Sequence, residues 1–309
     1  MGINLVVAVT DDDWFETLRS RPDADEVNFW APSGTNFRAL KPGELLLFKL
    51  HFPRNYIVGG GVFAHANNMQ CSLAWAAFGQ SNGARSAEEM RARIARYRRA
   101  DPKDRSDFVV GCRILTQPFF FDEHQWISLP PNWSRNIVSF KAYNTDEAEG
   151  LALWEAVQDR MGQQFLRDSP DSHGAEKRFG EPHLIHPRLG QGTFRVLVTD
   201  VYQRRCAVTA ERTLPALEAA HIRPYADGGE HEARNGLLLR RGIHSLFDAG
   251  YVTVTPALKF EVSGRIKEEF ENGRHYYALH RGVIEPPVDP CRRPDPAALA
   301  WHNENRFRP

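Results

Sequence analysis

Cysteine is scarce in this 309-residue chain. The four present (Cys71, Cys112, Cys206, Cys291) lie far apart, with no CxxC pair among them. That spacing excludes a four-cysteine zinc knuckle and argues against a disulfide framework. Net charge is lacking too, since 39 Lys and Arg balance 39 Asp and Glu. Any nucleic-acid contact must therefore come from local basic patches rather than the field of the whole chain. Long apolar runs are missing: the longest strings, such as Leu45 to Phe48, are strand-sized, far short of the roughly 18–20 residues that cross a bilayer. The apolar stretch Leu5 to Val9 follows no basic segment, so no secretory leader is expected and a cytoplasmic location is the default. No internal repeat is detectable. What is left is an ordinary globular composition, 42% hydrophobic and 25% charged, in a length suited to two cores of roughly 100–200 residues.

The charge that is present is uneven. Asp11 to Glu26 is acidic, while Arg91, Arg93, Arg96, Arg98, Arg99, Lys103 and Arg105 crowd one short segment. A solvated helix face and a phosphate-contacting surface are equally consistent with that segment. Apolar periodicity predicts a strand over Asn4 to Val9 and a helix starting at Thr10 to Asp13, where short polar and acidic side chains suit the positive end of the helix dipole. A strand pair is predicted over Leu45 to Leu50 and Tyr56 to Phe63, with Gly59, Gly60 and Gly61 marking a bulge or a close backbone approach. Helices are expected at Leu73 to Phe78, Ala87 to Arg99 and Glu147 to Met161, and strands at Phe108 to Leu115, Trp126-Ile127 and Val138-Ser139. From Gly162 to Pro187 the apolar pattern fades into Gly, Pro, Ser, His and charge, the composition of a linker.

Beyond it, Phe194, Leu197, Val198, Val201 and Tyr202 fall on one helical face. Next comes the most informative stretch of the chain. It holds a strand ending in Ala220-His221-Ile222, the turn residues Asp227-Gly228-Gly229, then Asn235-Gly236 and an apolar Leu237 to Leu239. A helix closed by Gly250 follows, carrying His244 and Leu246-Phe247-Asp248. A neutral imidazole at a strand end can take a proton from water near neutral pH. His244 and Asp248, four apart on one helix, share a face and can reach one cation. Imidazole plus carboxylate suits Mg²⁺, Mn²⁺ or Zn²⁺. Each residue alone is unremarkable; their order and spacing are what carry weight.

That order resembles the HNH endonucleases, whose small ββα-metal fold cuts phosphodiester bonds with one divalent cation. The resemblance makes His221 the general base, Asn235 the residue that braces the loop and orients the base, and His244 the helix residue on the metal or scissile phosphate. It departs from the common pattern at Ala220, where the family usually has an Asp or His ligand. Strand alternation puts Glu218 on the same side, as the nearest substitute. Otherwise His244 and Asp248 hold the ion with water and substrate oxygens. Cys206 begins what is a zinc knuckle in other branches, but Thr209 stands at its partner's place, so a structural zinc is not expected. The string from Arg188 to Asp248 also resembles HNH proteins of bacterial restriction systems.

In residues 1–160, Trp30-Ala31-Pro32, Gly43-Glu44 and Ile57 to Phe63 loosely resemble EVE domains, PUA-like curved β-barrels. Fusions of such domains to HNH domains restrict modified DNA by holding a flipped cytosine. A flipped base needs an aromatic platform and polar groups for its edge. Trp30 and Phe63 are the leading candidates, then Phe37 and Trp75, with Phe78 and Trp126 also available; core packing is the commoner role for each. Arg38, Lys49, Arg54 and Arg223 are candidate DNA-backbone contacts.

The expectation is thus an α+β protein with a PUA-like recognition domain (1–160), a linker (161–187), an HNH domain (188–285) and a Pro- and Arg-rich tail (286–309) that Trp301 and Phe307 could pin down. Its expected partner is double-stranded DNA carrying 5-methyl- or 5-hydroxymethylcytosine. A homodimer would supply the second cut of a double-strand break. An HNH nuclease or nickase indifferent to modification, and a non-cleaving DNA-binding module, are the alternatives.

Overall fold

The computed structural model describes residues 2–21, 23–101, 103–168 and 189–309. The chain divides into two compact units, residues 1–188 and 189–309.

In the first unit the strands are β1 (Asn4–Thr10), β2 (Glu26–Ala31), β3 (Leu45–Leu50), β4 (Tyr56–Gln70), β5 (Val109–Phe120), β6 (Ile127–Ser128) and β7 (Phe140–Asn144). They form one mixed sheet in the order β2-β5-β4-β3-β1-β7, with β6 paired to β4. β1 and β3 run parallel and the other pairs antiparallel. The helices are α1 (Asp12–Arg19), α2 (Cys71–Phe78), α3 (Ala87–Arg98) and α4 (Ala148–Asp168). The uninterrupted apolar run of β3 has a simple cause: both faces of the sheet are covered. Leu46, Phe48 and Leu50 join Val6, Ala8 and the α1 residues Trp14, Phe15 and Leu18 in one core. Leu45 and Leu47 join Leu5, Val7 and the α4 residues Leu153, Trp154 and Val157 in the other. Each such side chain contributes roughly 1.5–3 kcal/mol by leaving water.

The triple glycine marks the expected close approach, for a Cβ at Gly60 would stand 2.8 Å from the carbonyl oxygen of Leu46. The pairing of β4 with β5 also shifts register between Gly60 and Val62. The predicted strand near Val138 lies slightly later, over Phe140–Asn144. The helix predicted to end at Met161 runs on to Asp168, into the expected linker, and residues 169–188 of that stretch lie outside the described residues.

The basic segment turns out largely structural. Ser86 caps α3 by accepting the Glu89 amide, as its short hydroxyl allows. Arg93 is buried against Glu89, Arg91 donates to the carbonyls of Asp104 and Ser106, and Arg98 donates to those of Pro32 and Val109.

The second unit holds α5 (Gln191–Val201), β8 (Leu217–His221), β9 (Gly236–Arg240), α6 (Arg241–Asp248), β10 (Val252–Val254), β11 (Phe260–Val262), α7 (Arg265–Phe270), α8 (Arg274–Tyr277) and α9 (Pro296–Asn305). Its two antiparallel hairpins, β8-β9 and β10-β11, share one core with α5, α6 and α9. Gly236 lets α5 lie flat on β9, since a Cβ there would collide with Val198. Gly250, at φ 78°, ends α6 in a conformation that costs other residues energy. The segment read as a tail contains α9, capped by Asp295, with Leu299 and His302 buried. Its anchors are polar as well as apolar: His302 stacks on Phe247 and bonds Thr253, and Asn303 donates to the Val254 carbonyl. That anchoring has no apolar stripe to betray it in sequence.

Candidate active site

β8 ends at His221, opposite Gly236 of β9. The intervening loop is fixed by Asn235, buried and fully employed. Its Oδ1 accepts the Arg223 amide (2.9 Å), and its Nδ2 donates to the carbonyls of Arg223 (2.8 Å) and Glu230 (2.9 Å). Gly228 adopts φ 86°, and a Cβ on Gly229 would strike the Arg223 carbonyl and Asn235 Nδ2. The Asp-Gly-Gly turn and the Asn are therefore one device, holding Arg223, two residues after His221, in place.

The His221 ring stacks on Phe194 of α5, centroids 3.7 Å apart and planes at 11°. Its Nε2 lies 2.9 Å from Nδ1 of His231, whose own ring stacks on Tyr225 at 4.9 Å. Burial, then the neighbouring imidazoles of His231 and His244, push the His221 pKa down to about 4, against the opposing pull of Asp248. His221 is thus neutral at physiological pH, the state a base needs.

His244 meets the opposite environment. Its Nδ1 is 2.9 Å from Glu218 Oε2, and its Nε2 is 3.2 Å from Asp248 Oδ2. Burial works against its charge, but hydrogen bonds to Asp248 and Glu218 outweigh it and raise the pKa. Arg241 Nε donates to the other Glu218 oxygen at 2.8 Å. The helix thus brings His244 and Asp248 to one place, as the i, i+4 spacing predicts, and alternation along β8 brings Glu218 to the same helix. Ala220 is fully buried in the core.

No group of three or more His, Cys, Asp or Glu gathers as a metal site among the described residues. The donor set is His244 with a carboxylate on each ring nitrogen. A lone pair facing a carboxylate oxygen across 2.9–3.2 Å is repulsive unless a proton or a cation lies between. The arrangement therefore accepts a divalent ion on one nitrogen while the other keeps its N–H on a carboxylate, the usual support for a ligating histidine. Mg²⁺ suits a site that supplies few protein ligands and leaves the rest to water and phosphate.

The family model of HNH endonucleases matches residues 206–255. This segment is an HNH endonuclease domain. It makes the protein a phosphodiester hydrolase, and nucleases with such a domain generally use a divalent metal. Among solved structures, an ASCH protein from Zymomonas mobilis is 8% identical with a TM-score of 0.35, covering 48% of this chain and 94% of its own. A structure described as the modification-dependent TagI restriction endonuclease is 14% identical with a TM-score of 0.27, covering 96% of this chain and 80% of its own. No curated protein matches the chain. No helix among the described residues is long and apolar enough to cross a membrane.

Beyond the His-Asn-His motif several predicted site residues have other employment. Lys49, expected at phosphate, is buried, with its ammonium on Asn55 (2.7 Å) and over the Trp133 ring. Arg54 faces the acids Asp12 and Glu16. Arg223 donates to the Asp227 carbonyl and lies over Trp301, holding the loop. Arg38 is exposed. Trp30 spends its N–H on the Asn82 carbonyl, Phe63 is buried in the core and Trp75 is half-buried on α2.

Two neighbours of the motif escaped sequence reasoning. Arg241 adjoins the helix start, and the basic pair Arg240-Arg241 after an apolar strand was its only signal. His231 sits in the loop between His221 and Asn235, and only its position inside the motif could have marked it.

Proposed function

We infer that the protein is a metal-dependent restriction endonuclease acting on double-stranded DNA that carries 5-methyl- or 5-hydroxymethylcytosine. The observation that carries the cutting half is the placement of the two histidines, His221 at the strand end on Phe194 and His244 on the helix between Glu218 and Asp248. His221 is neutral and able to take the proton of the attacking water; Asn235 holds its loop. His244 Nε2 and Asp248 would hold the cation, with Glu218 orienting the ring from Nδ1. Asp248 is the more exposed carboxylate, and Glu218 is already tied to Arg241. The bound cation supplies charge stabilisation at the scissile phosphate.

The recognition half rests on the two-unit layout: the HNH chemistry is confined to the second unit, which leaves target choice to the first. There Phe37, half-buried, packs against Phe63 (5.6 Å) and the partly exposed Phe140 (5.5 Å). The buried Arg113 guanidinium lies 4.9 Å from the Phe37 ring, its Nε without a hydrogen-bond partner. An aromatic wall with an unmatched buried donor suits the acceptor edge of a flipped base. Phe37 with Arg113 therefore replaces Trp30 as the preferred platform. Two copies acting together would make the second cut, and the setting is cytoplasmic.

A panel of unmodified, methylated and hydroxymethylated duplexes, cut in Mg²⁺, Mn²⁺ and Zn²⁺, tests the whole reading. Cutting confined to modified duplexes is expected. Equal cutting of all three removes the modification step. Binding with no cutting in any metal would favour the non-cleaving module, for which the ligand-free side chain of Ala220 is the supporting observation.

A further inference from the structure

We propose that His231 is a positioning residue for the base, selecting the tautomer of His221 that presents Nδ1 to water. The proposal rests on the nuclease reading and extends it to a residue outside the His-Asn-His motif.

His221 Nε2 and His231 Nδ1 are 2.9 Å apart, so one proton lies between them and only one nitrogen carries it. His221 Nδ1 makes no hydrogen bond to a described residue, which leaves it open to water. With the shared proton on His221, Nε2 is the donor, Nδ1 keeps its lone pair, and His231 accepts. With the proton on His231, His221 must carry its own proton on Nδ1 and cannot act as base there. The stacks fix both rings in this pairing, His221 flat on Phe194 and His231 flat on Tyr225, and of the two arrangements only the first leaves His221 able to act as base at Nδ1. The groups facing His221 are His231 from the loop, Phe194 from α5, and His244 and Asp248 from α6; Glu218 and Arg241 lie behind His244.

In the step itself, the water O–H bond breaks and its proton goes to His221 Nδ1. The electron pair left on oxygen forms the new bond to phosphorus. The bond to the leaving oxygen breaks, its pair stays on that oxygen, and water supplies the proton. His221 is then an imidazolium hydrogen-bonded to a second imidazole. The acceptor at Nε2 steadies that cation, while the charge repulsion of the neighbouring imidazole works against it.

The test uses the full-length protein with ¹⁵N-labelled histidine, alongside single-turnover cleavage across pH. Wild type should show His221 as the Nε2–H tautomer. His231→Asn keeps an acceptor oxygen but removes the second imidazole. It should keep the tautomer and most of the plateau rate, and the acidic limb of the pH–rate profile should move to higher pH. His231→Phe keeps the stack on Tyr225 without an acceptor. It should mix the tautomers and lower the plateau in proportion to the Nε2–H fraction lost, about twofold for an equal mixture. An Nδ1–H tautomer in wild type, or a His231→Phe protein with unchanged tautomer and pH profile, overturns the proposal. If wild type cuts no DNA, the nuclease reading fails, and the nitrogen spectra still decide the pairing.

Discussion

The strand end and the helix face of the HNH domain each present a histidine, and the two are tuned in opposite directions. At the strand end, His221 has an aromatic ring beneath it and another imidazole at Nε2, and its pKa falls to about 4. On the helix, His244 is equally sheltered but has a carboxylate at each nitrogen, and its pKa rises. Burial acts against the charged form in both cases; the neighbours decide the outcome. Environments that push like groups apart assign their roles. The depressed imidazole is available as a base, and the raised one is bound to hold positive charge, whether a proton or a metal ion.

The sharpest way to break that contrast is His221→Ala. A general base typically contributes about 10²–10⁴-fold, so single-turnover cutting should fall by that factor while DNA binding, read by anisotropy, stays unchanged. A cutting rate within threefold of wild type would show that the strand end supplies no base.

A smaller effect separates the two carboxylates of the helix site. Asp248→Asn should weaken Mg²⁺ or Mn²⁺ binding more than Glu218→Gln, because Asp248 is assigned to the ion and Glu218 to the far side of the ring. Isothermal titration with each metal reads this directly. The Glu218→Gln loss should lie within about tenfold to a hundredfold. The reverse ranking would move the ion from Nε2 to Nδ1, with Asp248 as the orienting partner.

How much of this was legible beforehand follows from how local each feature is. The β8-loop-β9-α6 unit is built from neighbours in sequence, so the His244–Asp248 spacing could be read from helical periodicity, while the bracing role of Asn235 came from the resemblance to the HNH pattern. The strand pair β3-β4 was legible for the same reason. The imidazole of His231 was not, since its partner is fixed by a loop path that only Asn235 and two glycines determine. In the first unit, single charges misled. Lys49 lies in an apolar strand and looks like an edge cation, but the register shift after Phe48 and the reach of Asn55 bury it. Arg54 looks like a phosphate contact until the fold sets it against the acidic α1. Such long-range partners leave no period in the sequence. The α9 segment failed for a related reason, because Pro and Arg composition hides a helix whose anchors are His302 and Asn303.

The smallest prediction extends the contrast to stability. His302, on the buried face of α9, also has its pKa pushed down to about 4, chiefly by burial, as His221 does. A histidine whose folded pKa lies below its unfolded value of about 6.5 leaves the unfolded chain binding more protons between those two values. Stability therefore rises with pH across that window and is lost as pH falls from about 6.5 toward 4, by at most about 1.4 kcal/mol per pH unit for each such group. His244 has the opposite sign: its raised pKa adds stability below 6.5 that disappears as pH climbs through the folded value. Two groups against one make the second unit acid-sensitive. Urea unfolding followed through Trp301, the single tryptophan of that unit, requires the six others to be replaced by Phe; hydrogen exchange of the β9 amides avoids the replacement. Between pH 7 and pH 5 the opening free energy of those amides should fall. His302→Gln, which keeps polar atoms for Thr253 and the Phe247 carbonyl but cannot titrate, should remove more than half of the net fall, because His244 offsets part of what the two histidines lose. An unaltered pH slope in His302→Gln would mean that His302 does not contribute, and that the acid sensitivity belongs to the strand end alone.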